Sequence, residues 1–158
     1  MARNDIKIKD PIDGLRSFTA VVSSGGATTI NAGEPTKCST VGAVAICIDT
    51  DGSPATRFAG IAKYDSTDTV AAAGECVVWM PVPGLVYSGK ATTAANADTK
   101  AEIDALFGKR VIFDLTSTAW TVDTGATDTA TNGLVIIGGD FNTSTIWFVV
   151  SPSCTVFE

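Results

Sequence analysis

Leu134-Val135-Ile136-Ile137-Gly138-Gly139-Asp140-Phe141-Asn142-Thr143-Ser144-Thr145-Ile146-Trp147-Phe148-Val149-Val150 is the stretch that decides the fold class. Two runs of strand length, rich in β-branched and aromatic residues, flank a Gly-Gly-Asp-Phe-Asn turn. That is the pattern of a β-hairpin. Gly138-Gly139-Asp140 also stands where a phosphate loop would follow a strand. Neither G-x-x-x-x-G-K-S/T nor G-x-G-x-x-G occurs there, however, and a strand follows where a phosphate loop needs a helix.

The same punctuation runs back through the chain. Residues 124–133 are a polar loop of Thr, Ala, Asp and Gly. Residues 110–123 read as β structure, with Val111, Phe113, Trp120 and Val122 as the inward set. Glu75 to Met80 is a strand opened by Gly74 and closed by Pro81-Val82-Pro83-Gly84, and Leu85-Val86-Tyr87 is a short one beyond it. Further strands are expected at residues 57–64, 41–49 and 16–22, with turns at Asn31-Ala32-Gly33-Glu34-Pro35-Thr36 and Asp49-Thr50-Asp51-Gly52. Residues 96–108 hold the one helical pattern. Thr99 and Glu102 make a capping box, Ile103, Leu106 and Phe107 share a face, and Gly108 suits the left-handed position past the end. No internal repeat is apparent. About eight short strands and one helix argue for a small barrel or sandwich.

Composition narrows the chemistry. The chain has 158 residues, 45% hydrophobic and only 18% charged, and no histidine at all. A Ser-His-Asp triad, a Cys-His dyad and a His-ligated zinc are therefore excluded. The net charge of -6 disfavours nucleic acid as a partner. No run is apolar and long enough to cross a membrane as a helix. Cys38, Cys47, Cys76 and Cys154 lack metal-ligand spacing, and Cys47 and Cys76 sit in apolar runs that read as core. Asp49-Thr50-Asp51-Gly52 resembles the start of a calcium loop, but Gly60 stands where the bidentate Glu is needed. Of the glutamates, Glu34 lies in a turn and Glu102 in the capping box, so no catalytic pair stands out. Trp79 and Trp147 lie within apolar runs and read as core. Trp120, among Thr and Ser, is the tryptophan most open to solvent. No catalytic residue, cofactor or metal is expected.

The N-terminal end differs from the body. Residues 1–16 carry four cations and three anions, and the remainder carries seven and fourteen. Met1 to Asp10 holds five charges and no apolar stretch, so a secretory leader is not expected and synthesis in a reducing cytoplasm is. Ile6-Lys7-Ile8-Lys9 alternates with period two, one face apolar and one cationic. It reads equally as a strand that adds to a partner's sheet or, on the other side, as an ordinary first strand or a disordered tail. Pro11 and Gly14 separate it from the strand expected at residues 16–22. The division expected is an arm over residues 1–15 and a single β-rich domain over 16–158. With few apolar residues, the arm is expected to be loosely held, so that deleting residues 2–10 spares folding.

The order of four motifs carries a resemblance. Asn31-Ala32-Gly33-Glu34-Pro35, then Phe58-Ala59-Gly60-Ile61-Ala62, then Gly74-Glu75-Cys76-Val77-Val78-Trp79, then Pro81-Val82-Pro83-Gly84 is similar to the head decoration (cement) proteins of tailed bacteriophages. The closing hairpin from Gly133 to Asp140 fits the same order, and the Thr-rich residues 116–131 depart from it. The resemblance implies a mainly β, small β-barrel or β-tulip-like domain with one short α-helix (about 97–107) and an extended N-terminal arm. It implies a homotrimer on the capsid exterior that clamps the major capsid protein, without enzymatic turnover, nucleic-acid binding or membrane binding. Ile6, Lys7, Ile8 and Lys9 would then be the capsid-binding residues. Another virion β-protein (a tail-tube or fibre-base component), a carbohydrate-binding module and a carboxylate hydrolase are the other readings of this composition.

Overall fold

A computed structural model of the chain describes residues 6–9, 14–22, 29–40, 43–46, 57–67, 73–116 and 119–155. Its strands are β1 (Lys7–Ile8), β2 (Ser17–Val22), β3 (Pro35–Thr40), β4 (Ala43–Ile46), β5 (Phe58–Ala62), β6 (Glu75–Trp79), β7 (Val86–Ala91), β8 (Arg110–Thr116), β9 (Ala119–Asp123), β10 (Leu134–Asp140) and β11 (Thr145–Val150). The helix α1 (Lys100–Leu106) lies inside the expected span. The protein is mainly β and built on a barrel, as the hairpin and turn pattern implies. The turn expected at Asp49-Thr50-Asp51-Gly52, and Cys47, lie outside the described residues.

Strands β2 to β6 close into a barrel in the order β2-β4-β3-β5-β6. Strands β7, β11, β10, β8 and β9 pair in that order, and a parallel β7–β9 contact brings the last back to the first. The second set is therefore also a ring. In each ring the first and third strands run parallel, through Val22↔Val44 and Ala91↔Val122, and every other pair is antiparallel. Both are the same ring, down to the register. Phe18↔Val78 corresponds to Tyr87↔Phe148, and Cys38↔Val44 to Phe113↔Val122. Pro35↔Ile61 corresponds to Arg110↔Val135, and Ile61↔Trp79 to Val135↔Val149.

Hydrogen bonds outside the ladders repeat as well. Gly33 N–H donates to Ala62 O at 2.8 Å, and Gly108 N–H to Ile136 O at 2.8 Å. Ala62 N–H donates to Glu34 O at 3.0 Å, and Ile136 N–H to Lys109 O at 3.0 Å. Gly33 and Gly108 hold φ of 88° and 80°, the left-handed turn that feeds the second strand of each ring. The described residues thus repeat one five-stranded ring topology twice, a repeat of structure that the sequence pattern did not announce. The trace left in the residues is Pro11-Ile12-Asp13-Gly14-Leu15 against Pro81-Val82-Pro83-Gly84-Leu85. Elsewhere counterparts differ, as Thr36 and Val111 do, because a strand needs only the alternation of its two faces.

The cores differ in size of side chain. The first ring encloses Val22, Ile30, Val44, Ala59, Ala62, Cys76 and Val78. The second encloses aromatic residues in mutual contact: Tyr87 stacks on Phe148 at 5.7 Å, and Phe113 meets Trp120 edge-on at 6.1 Å. β5 joins the two. A register shift opposite Thr36 and Lys37 lets Ala59 and Ala62 face the first core, while Phe58 and Ile61 enter the second. Phe58 packs edge-on against Tyr87 at 5.9 Å. All five residues of β5 are buried for this reason.

Two expectations of local structure change. β3 occupies Pro35–Thr40, where the residues read as the end of a turn. Phe107 is 68% exposed and leaves the apolar face that Ile103 and Leu106 keep. It is the C-cap, with φ -59° and ψ 126°, so its side chain no longer follows the helical periodicity. The capping box itself is complete, with Glu102 N–H donating to Thr99 Oγ1 at 3.3 Å and Thr99 N–H donating to Glu102 Oε2 at 2.9 Å.

Candidate functional site

β1 lies antiparallel along β7, with Lys7 opposite Ser88 and Ile8 opposite Tyr87. Lys9 N–H extends the ladder to Val86 O at 2.8 Å. The alternation of this segment resolves into two environments. Ile6 is only 1% exposed and belongs to the aromatic core, and Ile8 packs half-buried against it. Lys7 and Lys9 point to solvent. Of the readings of Ile6, Lys7, Ile8 and Lys9, this structure has the internal strand. Residues 6–9 are held by this pairing, and Ile6 fills a place in the aromatic core; the rest of the expected arm before Gly14 lies outside the described residues.

The outward residues of β1, β7 and β11 form one face. Lys7, Ser88 and Trp147 make a row across the three strands, with Lys90 and Thr145 in the next. Lys9 Nζ sits 4.2 Å from the centroid of the Trp147 ring, a cation–π contact. A cleft of about 440 Å³ opens beside this face, lined by Lys7, Ser88, Lys90, Trp120, Thr121 and Thr145. Lys90 Nζ donates to Thr143 O at its rim. The neighbouring Asp140 carboxyl is held below the usual carboxylate range. The Thr143 hydroxyl, donating at 2.8 Å, is the main cause, and the Asn142 amide and the Lys90 charge add to it. A second cleft of about 290 Å³ separates β1 from the first ring, between Ile6, Ile8, Gly33, Ile61, Lys63 and Trp79.

Of the two readings of Trp120, the inward one from strand alternation holds and the open one from its Thr and Ser neighbours does not. Trp120 is 1% exposed, because it alternates inward with Val122 on β9. Trp79 and Trp147 are half-buried and lie on the outside of their rings, each with a lysine over the ring plane; Lys63 Nζ is 4.3 Å from Trp79. An apolar run alone does not say which of its residues face inward. Cys76 and Cys154 are buried, Cys76 in the first core as its neighbours implied. Glu34 is buried as well, a feature the sequence pattern does not announce. Its Oε2 accepts from Asn31 N–H at 2.8 Å and from Asn31 Nδ2 at 3.2 Å, closing the turn that leads into β3. The only sequence signal for it is Gly33, whose turn brings the two residues together.

Among the described residues, no three His, Cys, Asp or Glu side chains gather as ligands for a metal ion. Among the described residues no helix is long and apolar enough to cross a membrane. No family model, curated protein or solved structure matches the chain.

Proposed function

We propose that this chain is a structural virion protein of the capsid-decoration type. It binds the exterior of a phage capsid as a homotrimer and stabilises the major capsid protein shell by contact, without catalysis. The observation that carries the reading is the outward face of β1, β7 and β11. Lys9 lies over Trp147 there, with Lys7 and Lys90 on the same face of the neighbouring strands, on a chain whose net charge is -6. A half-buried aromatic side chain on a face that carries three lysines suits docking on an acidic protein surface, where charge steers the encounter and the ring supplies contact area. The ordered motifs support the same reading. Phe58–Ala62 and Glu75–Trp79, two of the segments that carry the resemblance, are adjacent strands of the first ring. A trimer would also shelter strand edges that a monomer leaves open.

Co-sedimentation with purified expanded capsids tests the proposal. Saturable binding that weakens with added salt, and weakens again in a Lys7→Glu, Lys9→Glu, Lys90→Glu variant, is the expected result. Light scattering of the bound and free protein tests the trimer. Absence of the protein from the capsid pellet at low salt overturns the reading.

A further inference from the structure

The polar loop of residues 124–133 is tied down largely by side chains. Lys109 Nζ donates to Thr124 O at 2.6 Å. Arg110 N–H donates to Asp128 Oδ1 at 3.2 Å, and the Arg110 guanidinium to Ala130 O at 3.2 Å. Asn132 is the knot. Its Nδ2 donates to Thr127 O at 2.8 Å and to Arg110 O at 3.1 Å, and its Oδ1 accepts from the Thr129 hydroxyl at 3.1 Å. Its backbone N–H donates to Thr129 O at 3.1 Å. One carboxamide thus spends both of its donors on joining the middle of the loop to the first residue of β8. Residues 127–131 are exposed around it, open to water.

We propose that Asn132 is a modification site, which deamidates spontaneously through Gly133 at a rate set by the hydrogen bonds of the loop, so that the product marks chains whose loop has opened. Asn132-Gly133 is the one Asn-Gly pair in the chain. Glycine brings no β carbon to crowd the ring that must form. The Gly133 nitrogen loses its proton to hydroxide and attacks Asn132 Cγ. The new C–N bond closes a cyclic imide, the Cγ–Nδ2 bond breaks, and the nitrogen takes up a proton from water and leaves as ammonia. Water then opens the imide at either carbonyl, giving aspartate or its β-linked isomer. In the folded chain Cγ reaches the Gly133 nitrogen only when the bonds to Thr127, Arg110 and Thr129 let go, so the reaction waits on local opening. The product does not retie the knot. A carboxylate only accepts, and it would face the carbonyls of Arg110 and Thr127. The β-linked isomer also adds a backbone carbon just before Gly133, whose carbonyl accepts from Ser151 N–H at 2.7 Å at the head of β10. The loop therefore stays loosened, with an added negative charge. The inference does not depend on the capsid reading.

The test holds the full chain in mildly alkaline buffer, folded and in urea, while peptide mapping by mass spectrometry follows Asn132 to the acid and its β-linked isomer. Conversion is expected to be about tenfold or more slower in the folded chain. Thr129→Ala removes the bond to Oδ1 and should speed the folded reaction while leaving the rate in urea unchanged. Folded chains that have reacted, separated by their added charge, should exchange the Arg110 amide faster, with Ile103 in α1 unchanged. Asn132→Asp should reproduce that loosening. Three results overturn the inference: equal rates in the folded chain and in urea, no conversion at Asn132 in urea, or reacted chains in which Arg110 keeps its protection.

Discussion

Gly60 faces the carbonyl of Trp79 so closely that a β carbon on residue 60 would stand 2.0 Å from that oxygen. Its φ of 132° also lies where side chains are rarely tolerated. The glycine in Phe58-Ala59-Gly60-Ile61-Ala62 thus lets β5 press against β6 while both of its faces are buried. Gly60→Ala is expected to lower stability by about 3 kcal/mol or more, through the clash and the backbone strain together. Urea denaturation of the variant measures it, and an unchanged midpoint would contradict the packing described.

Ile6 makes the N-terminal segment part of the fold. Ile6→Ala should cost about 2–5 kcal/mol, the range for truncating a buried aliphatic side chain. Deleting residues 2–10 should do at least as much damage, since it also strips the β7 edge of its hydrogen bonds. Thermal melts of the two variants should show both well below the intact chain. Equal melting of the deleted and intact proteins would mean that the core closes without β1.

Tyr87 carries a buried hydroxyl with no hydrogen-bond partner among the described residues. An unsatisfied polar atom in an aromatic core is a cost, so Tyr87→Phe should be neutral or stabilising by about 1 kcal/mol. Burial also pushes the phenol well above its ordinary value. The unfolded chain then loses this proton first as pH rises past about 10, while the native state keeps it. The contribution is fully present below that pH and is lost above it. Chemical denaturation from neutral to alkaline pH should show a decline in stability that is smaller in Tyr87→Phe.

Glu102 closes the cap of α1, and its carboxyl is held below the usual range, first by the Thr99 hydroxyl and then by its contact with Asp98. A lowered carboxylate contributes stability above its unfolded pKa and loses it as pH falls through the folded one. The first turn of α1 should therefore fray at the acid end. Titration of the Glu102 side chain by NMR should show its midpoint move upward in Thr99→Ala, towards the ordinary carboxylate value.

How much was legible in the sequence depended on the range of the interaction. The helix start at Thr99, the turn at Gly108 and the hairpin from Leu134 to Val150 are local events, set by residues a few positions apart, and they stand where the residues imply. β3 was not legible, because Pro35-Thr36-Lys37-Cys38-Ser39-Thr40 lacks the apolar alternation of a strand. It is a strand because β4 and β5 flank it on both sides. Trp147 was placed in the core by its apolar neighbours and Trp120 in the open by its Thr and Ser neighbours, whereas the alternation of β9 rightly set Trp120 inward; flanking composition does not record which neighbour a strand meets.

By itself the sequence determined the β class, the single α-helix, the turns and the two faces of Ile6-Lys7-Ile8-Lys9. Each comes from the stereochemistry of one segment. Only the tertiary structure decided that the strands make two rings of one register, that β5 is buried on both sides, and that Ile6 and Ile8 turn inward to the chain's own core. These depend on pairing between segments far apart in the chain. A ladder constrains backbone geometry and the alternation of faces, and leaves the residues free to differ. The same ring can therefore form twice where Phe18 answers to Tyr87 and Thr36 to Val111.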